Sequence, residues 1–154
     1  MRCNFFVLLL MILSFIGCDS SKSGGRSSEQ LKQIEIIQKD LMSIIGNKEN
    51  LDIQAGEELL DKITKYSNAY REDSMSAVFM LDGAQLCATM GKYQKAIQLL
   101  LNYSEHPKAT KLDYATYLVG FEYDEHLNQP MTAEKYYRAV IERYPNSEWA
   151  KVAN

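Results

Sequence analysis

The segment from Pro130 to Ser147 constrains the fold more than any other part of the chain. Ala133, Tyr136, Tyr137, Val140, Ile141 and Tyr144 stand at i, i+3, i+4, i+7, i+8 and i+11, the spacing that gathers apolar side chains along one stripe of a helix. Pro130 fits the first turn, where no backbone N–H is needed, and Pro145 closes the far end. Two earlier stretches repeat this pattern. Gly56, Ala96 and Ala133 are small residues near the start of alternate helices, followed four places on by Leu60, Leu100 and Tyr137 and seven places on by Ile63, Tyr103 and Val140. The spacings of 40 and 37 residues point to stacked helical hairpins, each unable to bury its apolar face alone.

The remaining periodicity fills in the hairpins. Ser27 and Gln30 have capping-box spacing, and Leu31, Ile34, Ile37, Leu41 and Ile45 carry a first helix on to Gly46. After Asn47 to Asn50, a second helix is expected from about Leu51 to Tyr66, interrupted by Ser67 and Asn68. A third, from Ser74 to Met90, is apolar around most of its circumference and is expected to be the most buried. Gly91 and Lys92 precede a fourth helix that ends at His106 and Pro107. Thr110 and Asp113 have capping-box spacing for a fifth, from about Lys111 to Leu127, and Ser147 to Ala153 reads as the start of a seventh. No segment alternates strongly enough to form a strand. The fold class is therefore all-α.

Residues 1–17 read as a targeting segment. Arg2 supplies a positive charge, and of the twelve residues from Phe5 to Ile16 only Ser14 is polar. A membrane-spanning helix needs about 20 apolar residues, so this run is a signal-peptide core. Phe15, Ile16, Gly17 and Cys18 resemble the lipobox of bacterial lipoproteins, in which a small residue precedes a cysteine that is lipidated and becomes the new N-terminus. The resemblance implies acyl chains on Cys18 and durable tethering. Residues 18–28 follow as the lipidated cysteine and a Ser/Gly-rich tether, and a coil of ten such residues spans about 17 Å. Residues 29–154 form the helical domain.

Composition limits the function classes. With 46% hydrophobic and 24% charged residues in 154, the chain supports one core. Its net charge of −3 becomes −4 when residues 1–17, which carry only Arg2, are removed. No basic stripe or RNA-binding motif appears, which argues against nucleic acid. Cys87 is the one thiol left once Cys3 departs and Cys18 is acylated, and its neighbours Leu86 and Ala88 suggest burial. His106 and His126 are the only histidines, without the spacing of a metal site. Asp124, Glu125 and His126 are consecutive, so on a helix they diverge rather than converge as a catalytic triad. Glu57, Glu58 and Glu122 read as solvated charges. The expectation is a protein that is not an enzyme and holds no metal or cofactor.

The repeats resemble the tetratricopeptide repeat over about Asn50 to Ala153. Gly91, Lys92, Tyr93, Gln94, Lys95, Ala96 and Ile97 match that family's turn and second helix, with Pro107 after it. Gly120 and Tyr123 match its first-helix pair, and Ala133 and Pro145 its second helix, with one extra residue placed at the Asn128 to Pro130 turn. The longer period and the Tyr-Pro-Asn-Ser ending resemble the repeats of periplasmic and outer-membrane lipoproteins, including the barrel-assembly lipoprotein and the Tol-Pal coordinator, more than eukaryotic co-chaperone repeats. The resemblance implies a right-handed superhelix of stacked antiparallel hairpins, an α-solenoid. It also implies an address in the bacterial cell envelope, facing periplasm or cell surface, with the outer membrane favoured over the inner.

In that family the first helices of the hairpins line a groove for a peptide or protein. Carried over, the groove positions are Leu81, Gln85 and Ala88 in one repeat and Tyr117, Phe121 and Asp124 in the next. Leu81 and Ala88 read better as core, leaving Gln85, Tyr117, Phe121 and Asp124 as partner-binding candidates. The basic clamp that captures acidic peptide tails has no counterpart. A scaffold that docks an envelope protein or peptide is the main expectation. The alternative is an accessory lipoprotein binding a small molecule or glycan through Tyr114, Tyr117, Phe121 and Tyr123. At the C-terminus, Trp149 either caps the last apolar face or leaves it for a partner or second copy to complete.

Overall fold

The computed structural model describes residues 25–46 and 51–154. The expected signal segment, the lipidation site at Cys18, most of the tether and residues 47–50 lie outside the described residues. Within them the chain is all-helical, with no strand. The helices are α1 (Ser28–Gly46), α2 (Ile53–Ala69), α3 (Ser74–Thr89), α4 (Tyr93–Ser104), α5 (Leu112–Phe121), α6 (Pro130–Arg143) and α7 (Glu148–Val152). Each packs on the next, and α7 returns onto α5 as well as α6. None among the described residues is long and apolar enough to cross a membrane.

Short polar side chains set most starts. Ser27 Oγ accepts the Gln30 N–H at 3.1 Å, Asp52 accepts from Ala55 at 3.0 Å, Asp73 from Met75 at 2.7 Å and Ser147 from Ala150 at 3.1 Å. Each satisfies an N–H that the helix itself cannot. At α5 the expected cap is not made. Thr110 lies outside the helix, Lys111 occupies the cap position with no side-chain bond, and the preceding turn is held from elsewhere. The Tyr103 hydroxyl, reaching from α4, accepts the N–H groups of Thr110 and Lys111 at 3.1 and 2.8 Å.

Apolar packing explains why α3 is hydrophobic nearly all round. Its Phe79, Leu86 and Cys87 join Ile37, Leu59, Leu60, Ile63 and Tyr66 in a core shared with α1 and α2. From other positions on α3, Ala77, Leu81 and Ala84 join Ile97, Leu100, Tyr103, Ala115 and Val119 in a second core with α4 and α5. A helix serving two cores has no wet face of normal width. Leu81 is accordingly buried and Ala88 is packed against the first core, as their core reading expected.

Three details depart from the sequence expectations. Ser67 and Asn68 do not interrupt α2, which continues to Ala69 and ends at Tyr70, because Ser67 is carried into the buried face. Glu122 is not a solvated charge but is 4% exposed. Nor does the extra residue of the last repeat lie at Asn128 to Pro130. Gly91 and Asn128 both take positive φ, 72° and 51°, and each stands five places before its small helix residue, Ala96 or Ala133. The turns are thus equal in length. The insertion is taken up just upstream, where α5 widens into a π-helical turn over Glu122–His126 and the Leu127 N–H bonds the Glu122 carbonyl at 3.1 Å.

The start of the domain is tied down by a polar network. Arg26 Nε donates to Asp73 Oδ2 at 2.8 Å, and Gln30 Nε2 donates to the same carboxylate at 2.8 Å and to the Tyr66 hydroxyl at 3.2 Å. Arg26, within the stretch assigned to the tether, is therefore fixed to the N-terminus of α3. Burial alone would raise the Asp73 carboxyl, but the hydrogen bonds from Arg26 and the Met75 N–H outweigh it and hold its pKa below the usual range.

Candidate functional site: the face of the odd-numbered helices

The odd-numbered helices are linked pairwise: α1 and α3 flank a concavity, Gln85 of α3 reaches Tyr114 of α5, and Trp149 of α7 packs on α5. Between α1 and α3 lies a concavity of about 530 Å³, with Leu41, Ile44, Leu51 and Leu86 as its apolar lining and Asp82, Gln85 and Thr89 as its polar lining. Asp82, Gln85 and Thr89 stand at i, i+3 and i+7, which places them on one stripe of α3. Gln85 Nε2 donates to the Tyr114 hydroxyl of α5 at 3.3 Å, so the polar edge of the concavity runs directly into the aromatic residues of α5.

There the face becomes a ridge of rings. Trp149 of α7 packs on Tyr114 at 4.6 Å and on Tyr117 at 5.0 Å between ring centroids. Tyr117 also meets Tyr137 at 5.7 Å and Phe121 at 6.3 Å. Phe121 and His126 meet edge-to-face at 5.6 Å, and His126 lies flat on Tyr93 at 4.1 Å. All of these rings are half-buried except the more exposed His126. Trp149 thus lies over α5 as a cover, only partly exposed itself.

Small residues and the wide turn make this arrangement possible. Gly120 lets α6 approach so closely that a Cβ there would stand 2.8 Å from Tyr137 Cε1. The π turn places the buried Glu122 carboxylate 3.0 Å from His126 Nδ1, off the axis a hydrogen bond requires. Burial pushes the Glu122 carboxyl up, and the imidazole only partly offsets it. Tyr137, pressed between burial and the Asp124 carboxylate, has its hydroxyl pushed up to about 12.

Protein-family models, curated proteins and solved structures give no match to this chain. Its chemistry must be read from its own geometry.

The four residues expected in the groove do not form one pocket. Gln85 borders the concavity and Tyr117 and Phe121 lie in the ridge, whereas Asp124, on the π turn, faces the Tyr137 hydroxyl of α6. Of the aromatics proposed to stack on a glycan, Tyr114, Tyr117 and Phe121 share the ridge, but Tyr123 stacks on Tyr136 at 5.7 Å in the core with α4. Sequence reasoning missed Asp82, Leu41 and Ile44. Asp82 was accessible to it, three places before Gln85 on the same helical stripe. Leu41 and Ile44 were indistinguishable from ordinary core positions of an amphipathic α1.

Among the described residues no group of three or more His, Cys, Asp or Glu side chains is placed to hold a metal ion. Asp124, Glu125 and His126 fall on successive positions of the π turn, and His126 turns to Glu122 instead. Cys87 is fully buried, and burial pushes its thiol up to about 11, which leaves almost no thiolate at neutral pH.

Proposed function

We propose that the chain is a scaffold that holds a protein or peptide segment along the face of α1, α3, α5 and α7, in the manner of a tetratricopeptide-like solenoid. The observation that carries this reading is the continuity of that face. An open apolar concavity, a polar stripe and a ridge of half-buried rings follow one another across successive helices. Such an extended, graded surface suits a segment read over several side chains better than a compact ligand. Stacked hairpins would give it the inward curvature of a solenoid.

The lipobox-like Phe15 to Cys18 supports a lipid-anchored form in the bacterial cell envelope, with Cys18 as the attachment point. The glycan alternative draws less support from the geometry. The rings of Tyr117 and Phe121 are turned onto Tyr137, Trp149 and His126 rather than laid side by side for a sugar, and the concavity lies beside Gln85 rather than around them.

Site-specific photocrosslinking in the native cells tests the proposal. A photoreactive side chain at Gln85 or Thr89, both exposed, is expected to capture one recurring envelope protein. The same group at Glu134, exposed on α6, should not. Equal capture from both faces, or capture only of abundant lipoproteins, would overturn it. Labelling of the mature N-terminus tests the anchor: a chain that remains soluble with a free Cys18 thiol is not lipidated.

A further inference from the structure

The polar side of the concavity has a charge character that selects its occupant. Asp82 lies at the edge of an apolar hollow, partly buried, with Gln85 and Thr89 along the same stripe. Among the described residues of that lining there is no Lys or Arg. The cation that acts on Asp82 is Lys111 at the cap of α5, and it stands beyond ion-pair distance, since no such pair occurs among the described residues. Other carboxylates are divided: Asp73, Asp40, Asp61, Glu57 and Glu134 are ion-paired, whereas acids such as Glu35, Glu72 and Glu148 stand exposed without a pair among the described residues, and Asp82 differs from those in lying partly buried against an apolar hollow. Burial pushes the Asp82 carboxyl up, with Lys111 acting the other way, so the position carries a desolvation cost that nothing within the described protein fully offsets.

Resting on the groove reading above, we propose that the segment held on this face carries an apolar side chain next to a lysine or arginine. The apolar side chain fills the hollow against Leu41, Ile44, Leu51 and Leu86, and the cation forms a charge-assisted hydrogen bond with Asp82. Further along, the faces of Tyr114 and Trp149 offer a second place for a cationic or aromatic group. A segment bearing Asp or Glu at the same place would bring like charge to Asp82 and is rejected. A charge-assisted contact is about twice as strong as a neutral one, so one Asp82 contact is enough to decide between such segments.

Selection from a display library of random dodecapeptides against the full chain tests this, followed by anisotropy titration of the recovered peptides. Peptides whose binding is blocked by Gln85→Trp are expected to be enriched in Lys and Arg next to Leu, Ile, Val or Phe and depleted in Asp and Glu. Asp82→Asn should weaken them about tenfold, Asp82→Glu should largely restore binding, and Gln85→Glu should strengthen it. Raised salt should reduce the preference. Asp82→Asn is expected to fold normally, because it removes a buried charge, and circular dichroism verifies that. Peptides blocked by Gln85→Trp but without cation enrichment, or indifferent to Asp82→Asn, would overturn the charge assignment and leave the groove standing. Recovery of no peptide sensitive to Gln85→Trp would overturn both.

Discussion

Removing the Tyr103 hydroxyl is the sharpest test of how α5, and with it the aromatic ridge, is held in place. Tyr103→Phe deletes one oxygen from a side chain only 3% exposed and leaves the ring packed among Ile97, Leu100 and Ala115. That oxygen accepts the N–H groups of both Thr110 and Lys111. Two partly buried donors are then orphaned, and an unsatisfied buried donor costs about 1–3 kcal/mol. Because water can reach part of this turn, the lower half of that range applies to each, giving a combined loss of about 2–4 kcal/mol. For a urea slope of about 2 kcal/mol per M, the unfolding midpoint should fall by about 1–2 M. Amide hydrogen exchange supplies the local readout: the Thr110 and Lys111 amides should lose protection well beyond the global change, while those of α2 should track it. An unchanged midpoint together with unchanged protection at Thr110 and Lys111 would refute the idea that this hydroxyl caps the turn.

The other expectations concern the glycine contact, the buried carboxylate and the thiol. Gly120→Ala should destabilise by about 1 kcal/mol net, because crowding against Tyr137 (about 1–3 kcal/mol) exceeds the helix-propensity gain of about 1 kcal/mol; a stabilised variant in urea titration would show that Tyr137 yields freely. Burial raises the Glu122 carboxyl above its ordinary pKa of 4.5 in the folded state, so between the unfolded and folded values the native state binds more protons than the unfolded one and stability falls as pH rises. Glu122→Gln removes this term, and its stability relative to wild type should climb as pH rises from about 4.5; parallel pH profiles would refute the assignment. Asp82 and Asp73, also shifted, are present in both proteins and cancel in that comparison. Cys87, fully buried with its thiol pushed up to about 11, should react with a thiol reagent only through unfolding, and mass-spectrometric labelling of native Cys87 at the rate of a free cysteine would contradict this.

Much of the site was legible only in part, for reasons that differ residue by residue. Gln85 and Tyr117 were placed on the helices that carry them, α3 and α5, because a helical period fixes which side chains share a stripe. Asp124 was read on a regular helix running through Glu122–His126, which the chain replaces with a π turn. One extra residue in a π turn rotates everything after it by roughly a hundred degrees, carrying Asp124 toward Tyr137. Glu122 looked like any exposed acid, since nothing local distinguishes a carboxylate that will be covered by a neighbouring helix. Thr110 and Asp113 satisfied the spacing of a capping box, yet the turn found its acceptor in Tyr103, seven and eight places away in sequence.

The sequence by itself determined the number and order of the helices, their boundaries within a few residues, and the apolar faces that must be covered. Those follow from the 3.6-residue period, local caps and turn residues, interactions that are complete within a few positions of the chain. Only the tertiary structure decided which half-buried side chains meet: Asp82 beside Leu41 and Ile44, Gln85 on Tyr114, Trp149 over Tyr114 and Tyr117, and Glu122 beneath His126. Except for the local Glu122–His126 pair, these contacts join residues of different helices. They are set by how closely the helices approach, where a single glycine such as Gly120 or a single inserted residue shifts the outcome, and no periodicity records that.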